Sequence, residues 1–122
     1  MGFLQNHAIK KSCRGLAKEL LNHVAKYISQ LPENQKSNTF DQLLLSGLRD
    51  FVDSFKVSPG VNLDLKSIKH TNWLDLYQGI LIKGVHTDLS YDSSIGSVEH
   101  NKLIVDIGRE VFDSRANALR NL

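Results

Sequence analysis

The first 31 residues predict a long amphipathic helix. Apolar side chains recur there at intervals of three and four residues, the period of an α-helix with one buried face. These positions are Ile9, Cys13, Leu16, Leu20, Val24, Ile28 and Leu31. Pro32 and the polar residues 33–38 predict that the helix ends at this point.

The next segment predicts a second helix with a capped start. Thr39 and Gln42 have the spacing of a capping box, in which each side chain accepts a hydrogen bond from the other residue's backbone amide. The apolar positions that follow are Phe40, Leu44, Leu48, Phe51 and Phe55, with Leu45 and Val52 widening the arc. A helix with so wide an apolar arc is expected to be central in the fold or covered by a partner.

Residues 71–85 leave two interpretations open. Five apolar residues there have helical spacing: Trp73, Tyr77, Ile80, Leu81 and Val85. Gly79 and Gly84 weaken the helix prediction, because each costs about 1 kcal/mol in a helix interior. Residues 79–85 could instead form a strand that pairs with the alternating residues 61–65. The helix is favoured, and the polar residues 86–96 predict a loop.

A fourth helix is predicted from about Ser97 to Leu119. Its apolar arc contains Ile104, Ile107, Val111, Ala118 and Leu119, with Val105 and Phe112 at one edge. The four segments together predict an all-α single domain, residues 1–122, with a four-helix bundle-like architecture. The alternative is an α+β fold with a small two-stranded element at 61–65 and 79–85.

Length and composition limit the class of protein. A chain of 122 residues with 41% hydrophobic and 23% charged residues is typical of one globular domain. No apolar run exceeds three residues, so no membrane span is expected. One cysteine and the lack of a signal-peptide pattern predict the cytoplasm, with signal-less secretion left open.

The positive charge is concentrated in the first segment. Residues 1–31 contain five basic residues and one acid, whereas the remainder carries a small excess of acids. Lys11, Arg14 and Lys18 form a narrow stripe beside the apolar face of the predicted helix. Such a stripe is typical of a solvated helix surface, but it could also follow the phosphates of a nucleic acid.

The sequence contains no recognisable catalytic motif. The five histidines are scattered without the spacing of a helical metal site, and no glycine-rich phosphate loop occurs. Cys13 lies on the apolar stripe of the first helix, which predicts a buried structural cysteine rather than a nucleophile. We therefore expect a protein that is not an enzyme and that uses no metal and no cofactor.

Six residues of the third and fourth segments are candidates for contact with a partner. Arg115 lies inside the apolar arc of the fourth helix, where it could bind a partner's carboxylate or extend its guanidinium to water. Gly108, one heptad earlier, could let another backbone approach. Val111 and Phe112 share that face, and Trp73 and Tyr77 form an aromatic pair that is suited to an interface or to a core.

The predicted function is binding of another protein through helical faces. The chain would act as an adaptor, inhibitor or regulatory subunit, and its wide apolar arcs predict self-association as a dimer. The alternative is a nucleic-acid-binding regulator that uses the basic first helix. An enzyme with a site assembled between helices is a third class.

Overall fold

The fold consists of four helices. The computed structural model describes residues 3–36, 38–55, 65, 68–89 and 97–122. The helices are α1 (Phe3–Ser29), α2 (Phe40–Ser54), α3 (Trp73–Leu89) and α4 (Ser97–Arg120), and no strand occurs within these described ranges. The prediction of an all-α, four-helix bundle-like fold is therefore confirmed.

The boundaries of α2 follow from local hydrogen bonds. The Gln42 amide donates to Thr39 Oγ1 at 3.3 Å, and the Thr39 amide donates to Gln42 Oε1 at 3.2 Å. Both halves of the predicted capping box are thus formed, and they satisfy two amides that the first turn of a helix leaves without a backbone partner.

Helix α1 contacts each of the other three helices, as does α3. The buried face of α1 matches most of its predicted apolar stripe. Its buried face includes the predicted Ile9, Cys13, Leu20, Val24 and Ile28. The spacing did not reveal two further buried residues of α1, Ala17 and Leu21. Leu16, which was placed on the same stripe, is only half-buried.

The strand alternative for residues 79–85 is wrong, because all of them lie within α3. Ile80, Leu81 and Val85 are buried on the core side of this helix. A β-carbon on Gly84 would overlap the end of the Leu16 side chain, so the glycine permits close packing of α1 against α3. Tertiary packing therefore offsets the low helix propensity of the glycine. Residues 61–64 of the proposed partner strand lie outside the described residues.

Two smaller expectations also need correction. Helix α3 continues to Leu89, whereas a loop was expected from residue 86. Ala118, which was assigned to the apolar arc of α4, is exposed.

One hydrophobic core joins the four helices. The wide apolar arc of α2 is largely accounted for within the chain, since Leu44, Leu48, Phe51 and Val52 are all buried. Among the residues whose side chains the structure describes, which exclude residues 3–5, the exposed large hydrophobic residues are Val98 and Leu122. No helix in the described part of the chain is long and apolar enough to cross a membrane.

Candidate functional site

The three aromatic residues among the predicted contact residues gather where α3 packs on α4. The ring centroids of Trp73 and Phe112 are 4.7 Å apart, and Tyr77 lies 6.1 Å from Phe112 and 6.4 Å from Trp73. Phe112 and Val111 are buried, Tyr77 is completely buried and Trp73 is half-buried. The cluster is therefore an aromatic part of the core, and Trp73 is its most accessible member.

Tyr77 and Gly108 are joined inside this cluster. The Tyr77 hydroxyl donates to the Gly108 carbonyl oxygen at 2.6 Å. A β-carbon on Gly108 would overlap Leu81 Cδ1, so the glycine makes room for a side chain of the chain's own α3. Burial raises the pKa of Tyr77 far above its usual range. Both residues are enclosed by the fold, and in this structure neither is accessible to a partner.

Arg115 links α4 to α1. It is half-buried, and its Nη1 donates a hydrogen bond to Asn22 Oδ1. The guanidinium is thus hydrogen-bonded to a neutral amide oxygen of α1 at the edge of the apolar arc. This contact explains how the arc tolerates a cation, and a contact with a partner's carboxylate stays a prediction.

Cys13 is a core residue, as predicted. Its thiol is completely buried and donates to the Ile104 carbonyl oxygen at 3.4 Å. Burial raises the pKa of the thiol to about 11, against a smaller lowering effect of the Arg14 charge. The thiol therefore keeps its proton at neutral pH and is a poor nucleophile.

The raised pKa of Cys13 predicts a loss of stability in alkaline solution. In the unfolded chain the thiol ionises near 9.0, whereas in the folded chain it keeps its proton to about pH 11. Because the unfolded state loses this proton first, the free energy of unfolding falls as the pH rises through that interval. Urea unfolding at several pH values should show a shallower fall for Cys13→Ala than for the wild type. Equal dependence of the free energy of unfolding on pH in Cys13→Ala and in the wild type would contradict the prediction. Tyr77→Phe serves as the control, because it removes the buried Tyr77 hydroxyl, whose pKa is also raised by burial.

The histidines form no metal site within the described residues. His23 Nε2 lies 2.7 Å from Asp50 Oδ2, and the His23 ring packs edge-on against Phe51 with centroids 5.4 Å apart. This pair ties α1 to α2. Sequence spacing gave no sign of it, because its members are 27 residues apart.

The predicted basic stripe is exposed but partly balanced by acids of the fold. Lys11, Arg14 and Lys18 all lie at the surface of α1. The Arg14 Nη2 atom is 3.9 Å from Glu110 Oε1 of α4. Lys11 borders a depression that also contains acidic side chains, so the local field around the stripe is mixed rather than uniformly positive.

That depression, the α1–α3 groove, is the larger of two concave regions that the sequence did not reveal. It has a volume of about 750 Å³ and a mostly apolar lining. Leu16, Phe55 and Leu89 supply larger apolar side chains of the groove. Gly15 leaves open space in the groove, whereas Gly84 lies under the Leu16 side chain. Its other lining residues are Ala8, Lys11, Ser12, Glu19, Thr87 and Asp88.

The second region, the α2–α3 pocket, is smaller and more polar. Its volume is about 350 Å³, and it lies between α2 and the residues that precede α3. Val52, Ile68 and Leu76 form its apolar part. The polar and charged lining residues are Arg49, Asp53, Lys69 and His70.

No known protein offers a site with which the groove or the pocket could be compared. Comparison with known protein families, with curated proteins and with solved structures finds no match to this chain. The functional argument therefore depends on the geometry of the groove and of the pocket.

Proposed function

We propose that the chain binds another protein by holding one of its helices in the α1–α3 groove. In this way it would act as an adaptor, inhibitor or regulatory subunit rather than as an enzyme. The observation that supports the proposal is an open, mostly apolar groove between two helices of a chain whose other apolar faces are largely buried. Grooves of this kind commonly receive the apolar face of an amphipathic helix.

The length and direction of the groove suit a helix. Ser12 donates to Asp88 at 2.7 Å, while Leu16 packs against Gly84, so α1 and α3 run antiparallel along its walls. From Ala8 to Glu19 the α1 wall extends about 16 Å, at 1.5 Å per residue. Three anchor side chains at positions i, i+4 and i+7 of a partner helix would span about 10 Å, which this length accommodates.

The open space in the groove favours bulky apolar anchors. A β-carbon on Gly15 would have no atom within 4 Å, so the space above this residue is open. Ala8, earlier on α1 than Gly15, is also a small residue of the groove lining. Leucine or phenylalanine side chains of a partner would bury their own surface here and also cover the half-buried Leu16.

The charges on the rim specify the polar edge of the partner helix. Asp88 lies beside Ser12, which is next to Lys11 in the sequence. Glu19 lies about 10 Å further along α1 than Ser12. Carboxylates therefore outnumber cations on the described rim. The fitting partner carries a lysine or arginine near Glu19, and a mismatched acid there would reduce binding.

We expect Gly15→Phe to block this site. The new ring would occupy the open space of the groove, and replacing an exposed helical glycine does not weaken the helix. A labelled helical peptide with leucines at i, i+4 and i+7 and an arginine at its polar edge serves as the probe. Its affinity for the wild type should fall at least about tenfold in Gly15→Phe, a change of about 1.4 kcal/mol.

Lys26→Phe is the matched control, because it places the same ring at an exposed position of α1 outside the groove. The peptide should bind this variant as it binds the wild type and should shift backbone NMR signals of residues 8–19 and 84–89. Shifts confined to another face, or equal affinity for both variants, would contradict the proposal. A partner captured from nuclease-treated lysate should likewise be lost with Gly15→Phe alone.

Two further expectations remain proposals. Self-association as a dimer was expected from wide apolar arcs, which the fold now largely buries within one chain. The cytoplasm remains the proposed location, in keeping with a single buried cysteine.

A further inference from the structure

The α2–α3 pocket combines an apolar floor with cations from two separate parts of the chain. Arg49 belongs to α2, whereas Lys69 and His70 belong to the segment that leads into α3. Val52, Ile68 and Leu76 supply the apolar part of the lining. The pocket volume of about 350 Å³ falls within the range of small-molecule sites, roughly 300–1,000 Å³.

The basic side chains of the pocket are not neutralised by the fold. Arg49, Lys69 and His70 form no ion pair or hydrogen bond with another described residue. Asp53 is the one carboxylate among the described lining residues. Arg49 and Lys69 against this one carboxylate therefore leave a positive balance among the described lining residues.

The His70 ring packs against Gly79 of α3, which has no side chain. A β-carbon on Gly79 would lie 3.3 Å from Cδ2 and 3.6 Å from Nε2 of the His70 ring. The same atom would lie 3.4 Å from Ile68 Cγ2. Gly79 thus lets the segment before α3 settle against the helix, and this contact places the imidazole at the pocket.

We propose that this pocket binds a small organic phosphate, with the phosphoryl group at Arg49, Lys69 and His70 and the organic part against the apolar floor. A phosphomonoester offers three strong acceptor oxygens and up to two negative charges, which matches three basic groups better than a carboxylate does. Asp53 is left to accept a hydrogen bond from a hydroxyl or amino group of the ligand. The site is separate from the α1–α3 groove and does not depend on protein binding there.

Phenyl phosphate is a suitable probe, because it joins a phosphomonoester to a compact apolar ring. Titration into the full chain, followed by backbone NMR, should give saturable shifts centred on residues 49–53 and 68–70. Inorganic phosphate should bind more weakly because it lacks the ring, and benzyl alcohol should give no shifts because it lacks the charge. The affinity for benzoate should lie between the affinities for phenyl phosphate and for benzyl alcohol.

Arg49→Gln should weaken phenyl phosphate binding about tenfold, because it removes a charged donor from an exposed side chain without disturbing the core. Arg109→Gln removes the same charge from an exposed position of α4 and should leave the affinity unchanged. Equal weakening in both variants would mean that the affinity depends only on the net charge of the protein, and this result would overturn the proposal. Shifts centred on Lys11, Arg14 and Lys18, or the absence of saturable shifts, would overturn it as well.

Discussion

Tyr77→Ala is expected to lower the free energy of unfolding by about 3–5 kcal/mol. The side chain is completely buried where α3 packs on α4, and it contacts the rings of Trp73 and Phe112. Its removal leaves a cavity among side chains that two helices hold in place, and it also removes the hydrogen bond to Gly108. The loss is a large part of the stability of a small domain, about 5–15 kcal/mol. Urea unfolding followed by circular dichroism measures it.

Tyr77→Phe separates the contribution of the ring from that of the hydroxyl. The phenylalanine keeps the ring contacts but no longer donates to the Gly108 carbonyl oxygen. That carbonyl lies within α4 and keeps its helical environment, so the expected cost is only about 1 kcal/mol. If Tyr77→Ala were no more destabilising than Tyr77→Phe, the aromatic cluster would contribute little to the fold.

The helices that sequence predicted well are those with strong local signals. The three-and-four spacing of α1 extends over most of its length, and Pro32 follows shortly after its end at Ser29. Thr39 and Gln42 fix the start of α2 through bonds that span only three residues. Information of this kind is contained in a few neighbouring residues, so no knowledge of the tertiary structure is needed to interpret it.

Helix α3 shows where such local information is insufficient. Its two inner glycines lower its intrinsic helix propensity, and the strand alternative followed from them. In the fold, Gly84 accommodates Leu16 and Gly79 accommodates His70 and Ile68. Each glycine thus serves a contact with another part of the chain. A preference that depends on such distant partners is absent from a short stretch of sequence.

The candidate site was missed for a related reason. Helical spacing marked Tyr77, Gly108 and Phe112 as apolar or close-packed, but it could not distinguish a contact within the chain from a contact with a partner. The groove combines apolar side chains with small and polar residues such as Ser12, Gly15 and Asp88, which follow no apolar pattern. Ser12 and Asp88 are 76 residues apart and meet only after α1 and α3 have packed together.

Leu20→Ala is expected to cost about 2–5 kcal/mol, the second large effect on stability. Leu20 is completely buried on α1, which packs against all three other helices. Neighbouring helices packed against α1 have little freedom to collapse into the space, so most of the cavity should persist. Urea unfolding of this variant should therefore show a large decrease in midpoint with an unchanged denaturant dependence.

Leu16→Ala is the informative control, because it makes the same truncation one turn earlier on the same helix. Leu16 is half-buried and borders the α1–α3 groove, so its removal widens an existing opening instead of creating a closed cavity. The expected cost is accordingly smaller than for Leu20, and solvent is free to enter the space. Equal costs at the two positions would mean that the groove is closed in solution, and this result would contradict both the stability argument and the proposed helix-binding function.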